Sequence, residues 1–143
     1  MITDAQNRPS FNQAINFAAG TVVSTDSIDL LTANRNVGRS GPMRAHVVVT
    51  TALAGGTNIK AELITSANAN LSSPTVIATG STVVTANATA GAELMDVAIP
   101  GTAQRYLGFQ YTTTGIYTGA GTVSAHIVAE TDNQPYIAMN TGL

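Results

Sequence analysis

The sequence predicts an all-β domain, most specifically a jelly-roll β-sandwich of about eight antiparallel strands in two sheets. Three observations support this prediction. Apolar and polar residues alternate with a period of two. Turn-forming residues interrupt these runs at intervals of roughly 10–15 residues. No segment shows the 3.6-residue periodicity of an amphipathic helix. Eight strands in two sheets favour a jelly roll, and an immunoglobulin-like sandwich ranks second because the chain has neither cysteine nor tryptophan for the Cys–Trp–Cys core.

Three segments show the alternation most clearly: 43–50, 59–64 and 122–129. In the first, Ala45, Val47 and Val49 alternate with more polar neighbours, which predicts a strand with one buried face. Further strands are expected where β-branched and aromatic residues are concentrated, and less regular patterns add two more. These further strands are predicted over 75–79, 82–86, 93–99, 105–113, 15–23 and 27–31.

The length of 143 residues fits one domain, which we place over residues 1–143. A polar, irregular segment that includes a proline lies at each terminus, at about 1–12 and 133–143. We expect these two segments to be arms that extend from the sandwich. The absence of cysteine excludes disulfides and thiolate metal sites.

Charged residues make up only 10% of the chain, against about 25% in a typical protein. Only one residue is a lysine, Lys60, although lysine commonly protects exposed strand edges from unwanted pairing. An uncharged surface costs little to desolvate when a partner docks. The net charge of −2 argues against a nucleic-acid partner, and no apolar run is long enough to span a membrane.

Catalytic, cofactor and metal sites are all predicted to be absent. His46 and His126 fall on the polar phase of two strands and would be neighbours if those strands pair, but no third ligand follows a metal-site spacing. The chain lacks a GxSxG nucleophile elbow. The glycine-rich segment 115–121 lies between two predicted strands, which favours a hairpin turn over a phosphate-binding loop.

Four arginines are the candidate subunit-interface residues. Arg35, Arg39 and Arg44 surround one predicted loop, and Arg105 stands next to Tyr106. The guanidinium group forms two parallel hydrogen bonds with a carboxylate, which suits an interface ion pair. Two interpretations remain open, a contact with an acidic partner surface and a solvated loop.

Several segments resemble one family. The predicted hairpin formed by 62–68 and 73–80, the pair formed by 105–111 and 121–128, and the opening residues 1–6 are similar to the Bbp16-like capsid cement proteins of tailed bacteriophages. The resemblance extends from about residue 1 to about residue 130. It implies a jelly roll on the outer surface of the virion capsid, made in the host cytoplasm, that clamps neighbouring major capsid subunits of HK97-like fold.

The resemblance implies no catalytic residue and no cofactor. Self-association into a dimer or trimer is expected, since symmetric assembly is the common mode. The main alternative function is a carbohydrate-binding or adhesin-like β-sandwich module of a phage particle, which would rely on exposed aromatic residues. The candidates for that role are Tyr106, Tyr111, Tyr117, Tyr136 and three phenylalanines. A small hydrolase is the third and weakest hypothesis.

Overall fold

The computed structural model describes residues 5–33, 43–100 and 104–129, which form two packed antiparallel sheets. Two short 3₁₀ helices, Ala5–Asn7 and Thr85–Asn87, accompany the strands, and none of the described helices has the length and apolar character needed to cross a bilayer. The strands are β1 (Ser10–Ala14), β2 (Gly20–Val23), β3 (Ile28–Asp29), β4 (Arg44–Thr51), β5 (Asn58–Ser66), β6 (Thr75–Val84), β7 (Glu93–Ala98), β8 (Tyr106–Thr114) and β9 (Thr122–Val128).

The strand order confirms the predicted fold class. One sheet has the order β1-β9-β4-β7, and the other has β2-β8-β5-β6 with the short β3 paired to β8. When β3 is set aside, the first strand pairs with the last, the second with the next to last, and so on inward to the β5–β6 hairpin. A long hairpin rolled into two sheets in this way is a jelly roll.

The core lies between the two sheets and is built from the alternating residues that the sequence indicated. β4, β5 and β9 each contribute alternate buried side chains, and the largest fully buried side chains come from β8 and the loop after it. Burial of each large apolar side chain stabilises the fold by about 1.5–3 kcal/mol. The largest of these buried side chains are Tyr111, Tyr117 and Phe109.

Two strand predictions differ from the structure. Residues 15–23 are not one strand, because the chain leaves the first sheet after Ala14 and joins the second at Gly20. Residues 75–79 and 82–86 do not form two strands. They form the single strand β6, which ends at Val84, and a shift in its pairing with β5 between Lys60 and Glu62 absorbs the interruption as a bulge.

The N-terminal strand belongs to the first sheet, where it pairs with β9 from Ser10 onward. The sheet therefore includes the last residues of the segment predicted as the N-terminal arm. The C-terminal segment 133–143 lies outside the described residues.

A chain of hydrogen bonds crosses the core and joins the two sheets at their β1–β2 edge. The Tyr111 hydroxyl donates to Ser10 Oγ at 2.8 Å, and Ser10 Oγ donates to Gln13 Oε1 at 2.7 Å. Gln13 Nε2 then donates to the carbonyl of Val23 on β2 at 2.8 Å. Because Tyr111 lies in the second sheet and Ser10 in the first, the chain fixes the distance between the sheets.

Candidate interaction surfaces

Four loops meet at one end of the sandwich, and we call this surface the uncharged loop end. It consists of residues 15–19, 52–57, 85–92 and 115–121, all within the described part of the chain. No residue in these loops is charged, and most are alanine, glycine or threonine. The nearest charged residue along the chain is Glu93 at the start of β7, and its carboxylate lies 3.4 Å from His46 Nε2.

Backbone hydrogen bonds connect the four loops to one another. Each loop forms at least one backbone hydrogen bond with another of the four. Because these bonds join main-chain N–H and C=O groups, a change of side-chain rotamer does not break them. The bonds run from Gly56 N to Ile116 O (2.6 Å), Thr118 N to Ala54 O (2.9 Å), Leu53 N to Ala88 O (3.0 Å) and Tyr117 N to Phe17 O (3.1 Å).

Apolar side chains lie both beneath and on the loop end. Tyr117 and Leu53 are buried under the loops, and the Tyr117 hydroxyl and Thr85 Oγ1 lie 2.7 Å apart in a hydrogen bond. Ile116 is 64% exposed and Val84, at the end of β6, is 49% exposed. The loop end is therefore a rigid surface from which apolar groups protrude into solvent.

The opposite end of the sandwich carries charge. The Arg105 guanidinium donates to both carboxylate oxygens of Asp29, at 2.9 and 2.8 Å, and also stands over the Tyr106 ring. These hydrogen bonds, with a smaller contribution from the Leu31 backbone N–H, lower the pKa of Asp29 to about 2. Both partners are solvent-exposed, so this ion pair orders the loops more than it stabilises the fold.

Arg44 has its own carboxylate in the first sheet. Its Nε donates to the Asp96 carboxylate on β7, and its Nη2 donates to the Asp96 carbonyl at 2.9 Å. The structure thus places Arg44 on β4 of the first sheet and Arg105 just before β8 of the second, each with a separate acid. Arg35 and Arg39 lie outside the described residues. Contact of these arginines with an acidic partner remains a prediction.

The two histidines stand directly opposite each other on β4 and β9, on the outer face of the first sheet. Strand pairing therefore makes them neighbours, as their phase suggested. The Nδ1 atoms of His46 and His126 are buried and have no hydrogen-bond partner among the described residues. No described group of three histidine or acidic side chains could hold a metal ion.

Stability is expected to fall as the pH drops from about 7.5 to about 5.5, because burial and, to a smaller extent, the nearby His46 and Arg8 lower the pKa of His126 below its ordinary value of 6.5. As the pH falls, the His126 side chain of the unfolded chain takes up a proton before that of the folded protein does. The stability that comes from keeping His126 neutral is therefore fully present above pH 6.5 and is lost below it. Each pKa unit of difference corresponds to about 1.4 kcal/mol.

Urea denaturation at the two pH values checks this expectation, with His126→Gln as the control. The carboxylates of Asp29 and Glu62, whose pKa values are lowered, stay ionised across this range. The variant should lose less stability than the wild type between the two conditions. Parallel losses in the two proteins would show that His126 is not responsible.

Glu62 is a buried acid that the sequence analysis did not single out. It lies on the outer face of β5, where Lys60 Nζ approaches at 2.6 Å and Gln110 Nε2 donates at 2.6 Å. Burial alone would raise its pKa, but these contacts outweigh burial and lower the pKa below its usual value. The i, i+2 spacing of Lys60 and Glu62 on a strand was the available signal. A single acid with satisfied partners has a structural role here.

Strand β6 is an edge of the second sheet and carries no charged residue along its length. Val76 is 42% exposed on it, and Val84 is exposed at its end. A long edge strand without charge can pair with a strand from another chain. β6 is therefore a second candidate interaction surface.

The aromatic residues do not form an exposed sugar-binding platform among the described residues. Tyr111 and Tyr117 are buried in the core, and Tyr106 is only half-buried beside Arg105. Phe11 is exposed but covered on one face by the Arg8 guanidinium, 3.7 Å from the ring centroid. Tyr136 lies outside the described residues.

The family model Bbp16 matches residues 10–127, which include all nine strands apart from the last residue of β9. Bbp16 is a phage-related family, and the match indicates a phage structural protein. Among curated proteins, no sequence matches the chain.

Proposed function

The chain belongs to the Bbp16 family, and on this premise we propose that it is a capsid cement protein. It binds the outside of a phage head and clamps neighbouring major capsid subunits of HK97-like fold. Under this proposal the protein is synthesised in the host cytoplasm and is located on the outer surface of the virion. The proposal assigns it no catalytic activity and no cofactor.

The observation that carries the proposal is a jelly roll whose candidate contact surfaces contain no charge. Both the loop end and β6 expose apolar side chains without any charged residue. Removing water from such surfaces costs little, because no ion loses its hydration. This composition suits a protein that is covered by neighbours in an assembly.

A repeating shell also lowers the affinity required of each contact. A cement protein that touches two or more capsid subunits gains effective concentration for the second contact after the first has formed. Self-association into a dimer or trimer would increase this effect further. Modest apolar contacts are therefore sufficient for stable attachment at many equivalent sites.

Heating of purified phage shells with and without the protein tests the proposal. Shells prepared without the protein should disassemble at a lower temperature, and adding the purified protein back should restore the original temperature. Bovine serum albumin at the same concentration serves as the control for non-specific protection. If the two kinds of shell disassemble at the same temperature, the protein is not a cement.

A further inference from the structure

We infer that the uncharged loop end is the surface that seats the protein on the capsid, against an uncharged surface of the major capsid subunit. This inference rests on the proposed function and adds the contacting surface and the chemistry of its partner. The charged end of the sandwich then faces solvent.

The distribution of charge along the molecule supports this orientation. The four loops at one end contain no charged side chain, whereas Asp29, Arg105 and Arg44 lie at the other. The exposed Arg105–Asp29 ion pair retains its hydration only if that end remains in water. The loop end loses no such hydration when it is covered, and this difference decides which end faces the shell.

The rigidity of the loop end supports the same assignment. Backbone hydrogen bonds connect all four loops, and the buried Tyr117 anchors them from beneath through Thr85. A surface already held in one conformation loses little conformational entropy when it binds. Of the 26 residues in the four loops, 21 are at least partly exposed, which falls within the roughly 20–30 residues that one side of a standard protein interface contributes.

The loop end is a poor match for a second copy of itself. A two-fold contact places each surface against an identical one, so the protruding Ile116 would need a recess within the same four loops. Leu53 and Tyr117 fill the space beneath those loops. We therefore place Ile116 against the capsid subunit, which is the partner that the proposed function supplies.

Lysine substitutions on exposed residues at the two ends test the assignment. Ile116→Lys and Ala90→Lys place a charge on the loop end, and Leu31→Lys is the matched control because Leu31 is 65% exposed at the opposite end. Binding to shells that lack the protein is measured by co-sedimentation. We expect Ile116→Lys to weaken binding at least tenfold, roughly the effect of a central interface residue, and Leu31→Lys to bind like the wild type. Thermal denaturation of each variant verifies that it folds.

Salt dependence gives a second readout. Because the loop end has no charge, wild-type binding should change less than about twofold between about 50 and about 500 mM NaCl. Binding that weakens strongly with salt would instead indicate docking through the arginines and would overturn the inference.

The remaining outcomes separate this inference from the proposed function. Failure of the wild-type protein to bind shells would refute the proposed function itself. Normal binding by Ile116→Lys and Ala90→Lys, with weakened binding by Leu31→Lys, would leave the function intact and assign the contact to the other end. If Ile116→Lys changed the oligomeric state in analytical ultracentrifugation but bound shells normally, the loop end would be a contact between copies, and the inference would be wrong.

Discussion

Replacement of Gly56 by alanine is expected to lower the free energy of unfolding by more than about 3 kcal/mol. Gly56 has a backbone φ of +56°, and a Cβ atom added there would overlap the ring of Tyr117. That ring cannot move aside easily, because Tyr117 is buried and its hydroxyl is hydrogen-bonded to Thr85. The substitution therefore forces a rearrangement of the loop end.

Gly91→Ala is the matched control for Gly56→Ala. Gly91 also has a positive φ, +87°, but an added Cβ would meet no atom within 4 Å. It should cost only the backbone strain of a left-handed conformation, about 1–2 kcal/mol. Urea denaturation of the two variants separates steric overlap from strain. Equal losses of stability would show that Tyr117 does not restrict this position.

Tyr111→Ala is the second substitution with a large expected effect, about 3–5 kcal/mol, which is typical of removing a buried aromatic ring. Tyr111 is fully buried, and its ring fills the space between the sheets. Tyr111→Phe retains the ring and removes only the hydrogen bond to Ser10, so it should cost about 1–2 kcal/mol.

A double-mutant cycle with Ser10→Ala isolates the hydrogen bond between the sheets. Once Ser10 Oγ is absent, Tyr111→Phe should cost less than it does in the wild type, because the bond is already lost. Denaturation curves for the four proteins give the coupling energy. A coupling near zero would mean that the bond does not hold the two sheets together.

Much of the fold is predictable because apolar residues alternate with more polar ones along its strands. In 43–50 and 122–129, the alternate apolar residues face the core, so each strand can be recognised from its own residues, although the outer face of β9 is buried as well. The break within 15–23 was not visible, because it arises where the chain passes from one sheet to the other. No local pattern records which sheet a strand will join.

The candidate surfaces were less predictable, because they are formed by segments far apart in the chain. The pairing of His46 with His126 was conditional on two strands being neighbours, which topology decides. The loop end follows from the same topology. The absence of charge in each loop was visible in the sequence, but their meeting at one end was not. The grouping of arginines suggested a site, yet Arg44 and Arg105 have carboxylate partners within the fold.

The orientation of the protein on a phage head is the most direct test of the proposal that the uncharged loop end seats it on the capsid. Electron cryomicroscopy of shells decorated with the purified protein would resolve which end of the sandwich contacts the capsid. Ile116 and its neighbouring loops should lie against the shell, while the Arg105–Asp29 pair should face solvent. Shells without added density, or density with the loop end pointing into solvent, would contradict it.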